Sequence, residues 1–310
     1  MKSLRPSSPP PPCSRRSPSA DAPPRRTPRP SRRLRQAPTP PAPDTDEAAW
    51  TPIFQGVALR DIAADEPRLI RGKALRIDLR AEGIRILATP ANGEKEGETD
   101  GLRTSNFLKA HGLQAAINAA PYSPVHGAEG QPQDISGLHI SEGDLVSPPG
   151  KLPALLLTED NRATIAEPPF DTAATFNAVS GFGIVLKDGK VLGSAEPLHP
   201  RTAAGISADG RFLYLLAIDG RQPRWSAGAS TREVGEWLKR LGAHDGINLD
   251  GGGTTTMVIA ADGGGKPKIL NRPIHAGFPG LERVAASHLG IWALPLSPPQ
   301  GKADADDVGE

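Results

Sequence analysis

Several residue types and patterns are rare or missing in this chain. Its 310 residues include one cysteine, Cys13, so neither an intramolecular disulfide nor a cluster of thiolate metal ligands can form. No stretch approaches the run of about 18 apolar residues that a membrane-spanning helix requires. None of the seven histidines lies in an HxH or HExxH pattern. We therefore expect neither a disulfide scaffold, nor a helical membrane protein, nor a histidine-based zinc site.

The first 48 residues differ in composition from the rest of the chain. They contain 14 of the 34 prolines, many arginines and almost no large apolar side chain. Such a segment buries too little apolar surface to offset its ordering entropy, so residues 1–48 are predicted to be disordered and without a catalytic role. Contact of the arginines with nucleic acid or anionic lipid is the less favoured alternative, because no aromatic side chain is present to stack on bases. No apolar stretch follows the Arg32-Arg33 pair, so we recognise no secretion signal and expect a soluble protein.

From Trp50 onward, short apolar runs alternate with Gly, Asp and Pro, a pattern typical of many short strands. Only two helices are predicted, at residues 104–112 and 230–242. The second has a capping box, Ser-x-x-Glu, at its start and a glycine at its end. No repeat or linker interrupts the region, so residues 49–295 are predicted to form one strand-rich, mixed α+β domain with few helices. Residues 296–310 are predicted to be a disordered tail.

The turn dipeptide Asp209-Gly210 predicts a hairpin between two of these strands. If residue 208 faces residue 211, Arg201 lies opposite Ile218. The chain then passes through the capped helix into "GINLD", which forms a βαβ-like unit if the two flanking strands are parallel.

Polar residues follow the ends of these two strands. Asp219 and Asp250 would then emerge at the same sheet edge, next to Arg201 and Arg221, while strand alternation places Asn248 on the same face as Asp250. Ligands bind outside the carboxyl ends of strands in parallel sheets of this kind. The expected site therefore lies at this edge.

The stretch "GINLDGGGTTTMV" adds three glycines and three threonines to that edge. Gly251, Gly252 and Gly253 lack a Cβ and can bring backbone N–H groups close to a ligand, and the threonines offer hydroxyl groups. The pattern suits an oxygen-rich, anionic ligand. It is not a P-loop, because no lysine follows the glycines.

Five elements in this order, "HPRTAAGIS", "LLAIDGRQPRWSAGAS", "LKRLGAHDGINLDGGGTTTMV", "NRP" and "ERVAASHLGIW", closely resemble the phosphodiester glycosidase domain family. The similarity extends over roughly residues 51–294. It implies a hydrolase that cleaves a sugar 1-phosphodiester, at either the glycosidic C–O bond or the phosphodiester bond, and releases the sugar from a phosphorylated glycan or glycoconjugate. The family usually works outside the cytoplasm, so the resemblance implies an extracytoplasmic location that no visible signal supports.

The resemblance and the strand-edge position together define the candidate residues. The catalytic candidates are Asp219, Asp250, Arg201 and Asn248. The candidates for substrate binding are Asn118, Gly220, Arg221, Gly251, Gly252, Gly253, Thr254 and Thr255. The chain departs from many members after Asn118, where it has "AAPYSP".

Such a reaction develops positive charge on the sugar and negative charge on the departing phosphate. Two carboxylates can divide the work, one as nucleophile or base and the other as acid or electrostatic partner. Arginines hold phosphate through paired donors. Since a phosphate monoester leaves readily, charge stabilisation by Arg201 and the glycine loop is expected to exceed the contribution of proton donation.

Alternatives remain open for single residues and for the whole protein. Asp219 could serve only a turn, Arg221 could be a solvated charge, Asn248 could cap a turn, and Trp225 could stack on a sugar, anchor a lid or simply pack. A metal-dependent phosphodiesterase or nuclease could use the same carboxylates to bind Mg²⁺ or Ca²⁺, although no cofactor is expected. A non-catalytic binder of cell-wall glycans could use the same cleft. The sequence does not define the oligomeric state.

Overall fold

The computed structural model describes residues 49–261 and 266–296. Segment 1–48 and residues 297–310 of the predicted C-terminal tail lie outside the described residues. Neither described helix is long and apolar enough to cross a membrane.

The described residues form a strand-rich fold with two α-helices. The helices are α1 (Thr104–Ala110) and α2 (Thr231–Leu241). The strands are β1 (Thr51–Phe54), β2 (Val57–Ala64), β3 (Ile70–Asp78), β4 (Arg85–Ala88), β5 (Thr99–Asp100), β6 (Ala115–Asn118), β7 (Tyr122–Ser123), β8 (Pro132–Ile135), β9 (His139–Ser141), β10 (Asp144–Ser147), β11 (Ala154–Leu157), β12 (Ala163–Ala166), β13 (Asn177–Ser180), β14 (Gly183–Lys187), β15 (Lys190–Val191), β16 (Arg201–Ile206), β17 (Phe212–Ile218), β18 (Asp245–Asn248), β19 (Met257–Ile259), β20 (Lys268–Ile269), β21 (Ile274–His275), β22 (Phe278–Pro279) and β23 (His288–Trp292).

Three large sheets organise these strands. The largest has the order β1-β2-β3-β17-β16-β18-β14-β15, and two five-stranded sheets have the orders β10-β9-β13-β11-β12 and β20-β19-β6-β23-β4. Two small sheets, β21-β22 and β5-β8-β7, complete the described fold. Every strand pairing found among residues 49–261 and 266–296 is antiparallel.

One hydrophobic core joins the three large sheets. Leu215 of β17, Ile117 of β6 and Val179 of β13 are fully buried members of this cluster. Alternate residues of β17 face the opposite side, where Leu216 packs with Leu238 of α2 in a second cluster. Because both faces of β17 are covered, the strand is an almost uninterrupted apolar run in the sequence.

Both helices form where the sequence predicts them. Ser230 and Glu233 make the capping box of α2, and Gly242 ends the helix in the left-handed conformation, with φ 107°. This agrees with the local pattern because both ends of α2 are determined by side chains within the segment itself. The helix α1 is shorter than predicted and ends at Ala110.

The hairpin β16–β17 has the predicted register, with Arg201 paired with Ile218. Strands β17 and β18 each pair antiparallel with β16, so they run in the same direction and end at the same sheet edge. They do not pair with each other, because β16 lies between them. Two strand spacings of about 4.8 Å therefore separate the backbones that lead into Asp219 and Asp250.

Candidate functional site

The glycine loop packs against the start of β16. A Cβ on Gly251 would lie 2.7 Å from the Pro200 carbonyl oxygen, so a larger residue does not fit there without a backbone shift. Gly252 has a φ of 67° and donates its N–H to the same carbonyl at 2.9 Å. The three glycines thus allow a close approach between two backbone segments. The sequence pattern predicted backbone N–H groups that face a ligand. The N–H of Gly252 instead bonds to the protein itself.

Two arginines flank this loop on either side. The guanidinium of Arg221 lies 3.1 Å from the position that a Cβ on Gly252 would take, and that of Arg283 lies 3.3 Å from the corresponding position on Gly253. Arg221 has a φ of 58°, which is unusual for a residue other than glycine. The loop therefore lies close to two cationic side chains, and a Cβ at either glycine would crowd the adjacent guanidinium.

Asp250 begins the loop and is almost completely buried. Its Oδ2 accepts a hydrogen bond from the Thr254 hydroxyl at 2.6 Å and lies 3.6 Å from Nη2 of Arg283. Burial raises the pKa of the Asp250 carboxyl above its usual value, while Thr254, Arg283 and the Gly251 N–H oppose this change. A carboxyl group with this combination is a good candidate for acid–base or nucleophilic chemistry.

Tyr122 lies on the other side of Arg283. Its ring centroid is 6.0 Å from the Arg283 guanidinium carbon, and its hydroxyl donates to the Val284 carbonyl. Burial, together with the nearby Asp250 charge, raises the pKa of Tyr122 to about 12, so its hydroxyl stays protonated. Tyr122 comes from the "AAPYSP" segment, where this chain departs from the family pattern.

Asn118 lies beneath the loop with its side-chain amide bonded to the protein. Its Nδ2 donates to the Asp250 carbonyl at 2.6 Å, and its Oδ1 accepts from the Thr202 hydroxyl and the Thr256 N–H. The side chain thereby ties β6 to both ends of the glycine loop. This geometry suits positioning of the loop better than direct contact with a substrate.

Arg201 lies at the start of β16, close to Arg221 and His199. Its Nε donates to the Ala229 carbonyl at 2.9 Å and its Nη2 to the Pro197 carbonyl at 2.8 Å. Burial and the adjacent Arg221 lower the Arg201 pKa. The His199 pKa is likewise lowered, by burial and by both guanidiniums, which favours a neutral imidazole. Nη2 of Arg221 lies 3.4 Å from Nδ1 of this ring.

Asp219 is buried, with protein N–H groups bonded to both of its carboxylate oxygens. Trp225 donates its indole N–H to Oδ2 at 2.8 Å, and the Asn271 side chain and the Arg272 backbone donate to Oδ1, each at 2.9 Å. Burial raises the pKa of Asp219, and these three hydrogen bonds oppose the increase. The side chain therefore connects the loop after β17 to the segment before β21.

Several buried polar atoms around the loop have no hydrogen-bond partner among the described residues. They are Oδ1 of Asn248, Oγ1 of Thr256, Oε1 of Gln222 and Nε of Arg283. An unpaired polar group in a protein interior costs about 1–3 kcal/mol. Their location around the same loop fits a site that is completed by water or by a ligand.

The structure brings most of the predicted candidates together. The glycine loop contains the three glycines and Thr254, and Asp250 and Arg221 lie next to it. Thr255 contacts Thr202. Gly220 packs against Pro200, where a Cβ would lie 2.5 Å from the proline nitrogen. Arg283 and Tyr122 also belong to this group, although neither was predicted from the sequence. Arg283 lies in "ERVAASHLGIW", one of the stretches that carry the family resemblance, so a signal for it was present.

A close group of potential cation ligands occurs apart from the glycine loop. Within residues 49–261 and 266–296, the only close group of three potential ligands is Asp188, His244 and Asp245. That group lies at the start of β18, whereas the glycine loop follows its end. The oxygens of Asp219 accept three N–H groups, and this arrangement does not suit Mg²⁺ or Ca²⁺ coordination.

The fold and site define a strand-rich domain with a buried carboxyl group and a glycine loop flanked by arginines. A sequence profile described as phosphodiester glycosidase matches residues 111–292, and the chain belongs to this family. A search of functionally curated proteins gives no match.

Solved structures share the fold at low sequence identity. The catalytic domain of zebrafish N-acetylglucosamine-1-phosphodiester alpha-N-acetylglucosaminidase, auto-inhibited by its pro-peptide, is 20% identical and has a TM-score of 0.58; the match covers 81% of this chain and 86% of that one. A Burkholderia pseudomallei protein is 18% identical with a TM-score of 0.56, covering 73% and 74% of the two chains. A Synechocystis protein is 14% identical with a TM-score of 0.54, covering 78% and 64%.

Proposed function

We propose that the protein is a hydrolase that cleaves a sugar 1-phosphodiester and releases the sugar from a phosphorylated glycan or glycoconjugate. The observation that carries this proposal is the placement of the buried Asp250 carboxyl beside a glycine loop that Arg221 and Arg283 flank. A carboxyl group and paired guanidiniums match the two charges that the reaction develops. Family membership supports the same class of reaction.

In the proposed reaction, Asp250 acts in its ionised form at the anomeric carbon, either by attacking that carbon or by accepting a proton from the attacking water. The bond between the anomeric carbon and the phosphate oxygen breaks, and the phosphate monoester leaves with the electron pair. An oxygen from water ends on the anomeric carbon. Substrate cleavage therefore consumes one water and yields free sugar and a phosphate monoester.

The guanidiniums supply charge stabilisation for the departing phosphate. Arg221 lies close to Gly252 and Arg283 close to Gly253, and two backbone carbonyls hold Arg201, whose pKa the neighbouring Arg221 lowers. Guanidinium groups bind phosphate oxygens through paired N–H donors. Positioned cations need no reorganisation during the reaction, and this is a main source of enzymatic rate enhancement.

We assign Asp219 a positioning role, in place of the catalytic role predicted from the sequence. Its oxygens accept three N–H groups, so proton transfer or nucleophilic attack by this carboxylate requires several of those bonds to break. Asn248 is instead a candidate for substrate binding, because its buried Oδ1 has no partner among the described residues and can accept a sugar hydroxyl.

The proposal is tested by incubating the full chain with a panel of sugar 1-phosphodiesters and measuring free sugar and phosphate monoester by chromatography. We expect turnover of at least one member, with the two products in equal amounts. The absence of turnover across the panel, together with measurable affinity for the same compounds, would instead indicate a binding protein. Loss of activity on treatment with a chelator, restored by Mg²⁺ or Ca²⁺, would support the metal-dependent alternative.

A further inference from the structure

A cavity lies beside the glycine loop. It has a volume of about 390 Å³, and its lining includes Arg221, Arg224, Trp225, Arg272 and Ile274. Arg221 belongs to this cavity and also contacts Gly252, so it forms a wall shared with the candidate active site. A molecule bound at the glycine loop can therefore extend into this space.

The cavity carries an excess of positive charge. Three of its lining residues are arginines and none is an aspartate or glutamate. Within the described part of the chain, none of these three guanidiniums forms a salt bridge to a carboxylate. The nearby Asp219 carboxylate contributes a single negative charge, which attracts the Arg272 charge and lies outside the lining of the cavity. An excess of positive charge around one cavity favours the binding of an anion.

Contacts with Asp219 and with neighbouring rings hold the cavity walls in place. The Trp225 indole donates to Asp219, and the Arg272 guanidinium carbon lies 5.7 Å from the centre of the Trp225 ring. The Arg272 backbone N–H also donates to Asp219, so one carboxylate fixes both sides of the cavity. Gln222 joins them through a hydrogen bond from its side chain to the Arg272 carbonyl at 2.9 Å. The three arginines are solvent-exposed, and the fixed parts of the cavity are the Trp225 ring and the Arg272 backbone, both bonded to Asp219.

We propose that this cavity is an aglycone subsite that binds a second anionic group, a phosphate or a carboxylate, on the leaving-group side of the substrate. The inference rests on the proposed function, because it takes the glycine loop as the place where the scissile phosphate binds. It defines the substrate class more narrowly: a sugar 1-phosphodiester whose aglycone is itself negatively charged. An anionic aglycone gains charge-assisted hydrogen bonds from these guanidiniums, whereas a neutral aglycone makes only weaker hydrogen bonds to them.

The test compares two substrates and two variants. The substrates share the sugar that the panel identifies and a four-carbon aglycone, which ends in a phosphate in one compound and in a hydroxyl in the other. The variants are Arg224→Gln, which removes one lining charge outside the proposed catalytic group, and Arg162→Gln as a matched control. Arg162 is an exposed arginine on the turn between β11 and β12 and does not line the cavity. The readout is kcat/KM for each pair of enzyme and substrate.

We expect the wild-type protein to favour the phosphate-ended substrate by about tenfold or more, a ratio typical of one to two charge-assisted contacts. Arg224→Gln is expected to reduce kcat/KM about tenfold for that substrate, and less than about twofold for the hydroxyl-ended one. The control variant should change neither value. The subsite proposal would be overturned if the wild-type protein had equal kcat/KM on the two substrates, or if both variants lost kcat/KM to the same extent.

A binding measurement separates failure of this inference from failure of the proposed function. Calorimetry with butane-1,4-diyl bisphosphate and with butyl phosphate reports anion binding without any need for turnover. Tighter binding of the bisphosphate that Arg224→Gln abolishes, in a protein that hydrolyses no diester, would refute the proposed function and support an anion-binding cavity. Hydrolysis of both diesters without selectivity, and equal affinity for the two probes, would refute the subsite and leave the proposed function intact.

Discussion

Nη2 of Arg283 lies 3.6 Å from Oδ2 of Asp250, and the same guanidinium lies against Gly253. The two residues belong to different segments, one after β18 and the other just before β23. A cation in this position lowers the pKa of the Asp250 carboxyl, which burial raises. In the proposed reaction, the same guanidinium also binds the departing phosphate. Arg283 can thus lower the pKa of the Asp250 carboxyl before the reaction and stabilise the charge on the leaving phosphate during it.

Replacement of Arg283 tests that second role. Arg283→Lys retains the charge but loses the planar pair of donors, so we expect kcat/KM on a sugar 1-phosphodiester to fall by about 10- to 100-fold. The fold should persist, as judged by an unchanged circular dichroism spectrum and a melting temperature close to that of wild type. Arg162→Gln serves as the control for a change at an exposed arginine. Wild-type kinetics for a folded Arg283→Lys variant would remove Arg283 from phosphate binding.

Arg201 poses a different question, because two backbone carbonyls already accept its N–H groups. If it also holds the phosphate, Arg201→Lys should reduce kcat/KM by about 10- to 100-fold on the phosphodiester and far less on a neutral aryl glycoside of the same sugar. The comparison is made with purified variant on both substrates. Equal losses on the two would mean that Arg201 serves only to hold the segments around Pro197 and Ala229.

Replacement of Asp219 tests whether its carboxylate has a positioning role or a catalytic one. In Asp219→Asn one side-chain oxygen becomes an NH₂ group that faces N–H donors, so we expect a loss of stability of about 1–3 kcal/mol and a shift in tryptophan emission from Trp225. Denaturant unfolding and fluorescence measure both. Activity should fall less than in a variant of Asp250. A kcat that drops about a hundredfold or more, with stability and emission unchanged, would return Asp219 to a catalytic role.

The sequence predicted those features of the site that depend on nearby residues. The register of Arg201 opposite Ile218 follows from the short turn between their strands, and the ends of α2 follow from Ser230 and Gly242. In strand β2, the adjacent Arg60 and Asp61 interrupt the apolar pattern, and the strand is instead supported by eight-residue pairing with β3.

Long-range contacts limited the rest of the sequence prediction. The bonds from Asn271 and Arg272 to Asp219 join segments far apart in the chain, and no local pattern indicates that these donors satisfy the carboxylate. The position of β16 between the two parallel strands is also a property of the whole sheet. Sequence patterns could place the candidates at one edge, but they could not distinguish those that face a ligand from those that hold the scaffold.

Two buried histidines predict how stability depends on pH. Burial lowers the pKa of His139 to about 4 and that of His288 to about 3, and Thr89 contacts both rings. An unfolded histidine titrates near 6.5, so the unfolded chain binds protons that the folded protein excludes. These groups therefore leave stability intact above about pH 6.5 and reduce it as the pH falls from there toward 4 and below.

Denaturant unfolding at pH 7 and at pH 5 measures this effect. From the His139 value, we expect the free energy of unfolding to fall by roughly 2 kcal/mol through this residue alone. His139→Gln keeps a donor that can reach the Thr89 carbonyl but does not titrate. The variant should therefore lose roughly 2 kcal/mol less free energy of unfolding between the two pH values than the wild-type protein. If the variant and the wild-type protein lose the same stability, His139 does not determine the acid sensitivity.

The most direct test of the central claim is the turnover of a sugar 1-phosphodiester, one that the wild-type protein hydrolyses, by the Asp250→Asn variant. The substitution keeps the shape of the side chain and removes its ability to attack or to accept a proton, so we predict that kcat drops about a hundredfold or more in a folded protein. The same substitution should also lower kcat on a neutral aryl glycoside, because the Asp250 carboxylate acts at the anomeric carbon rather than on the phosphate. A folded Asp250→Asn variant that turns over the phosphodiester at nearly the wild-type rate would contradict the account.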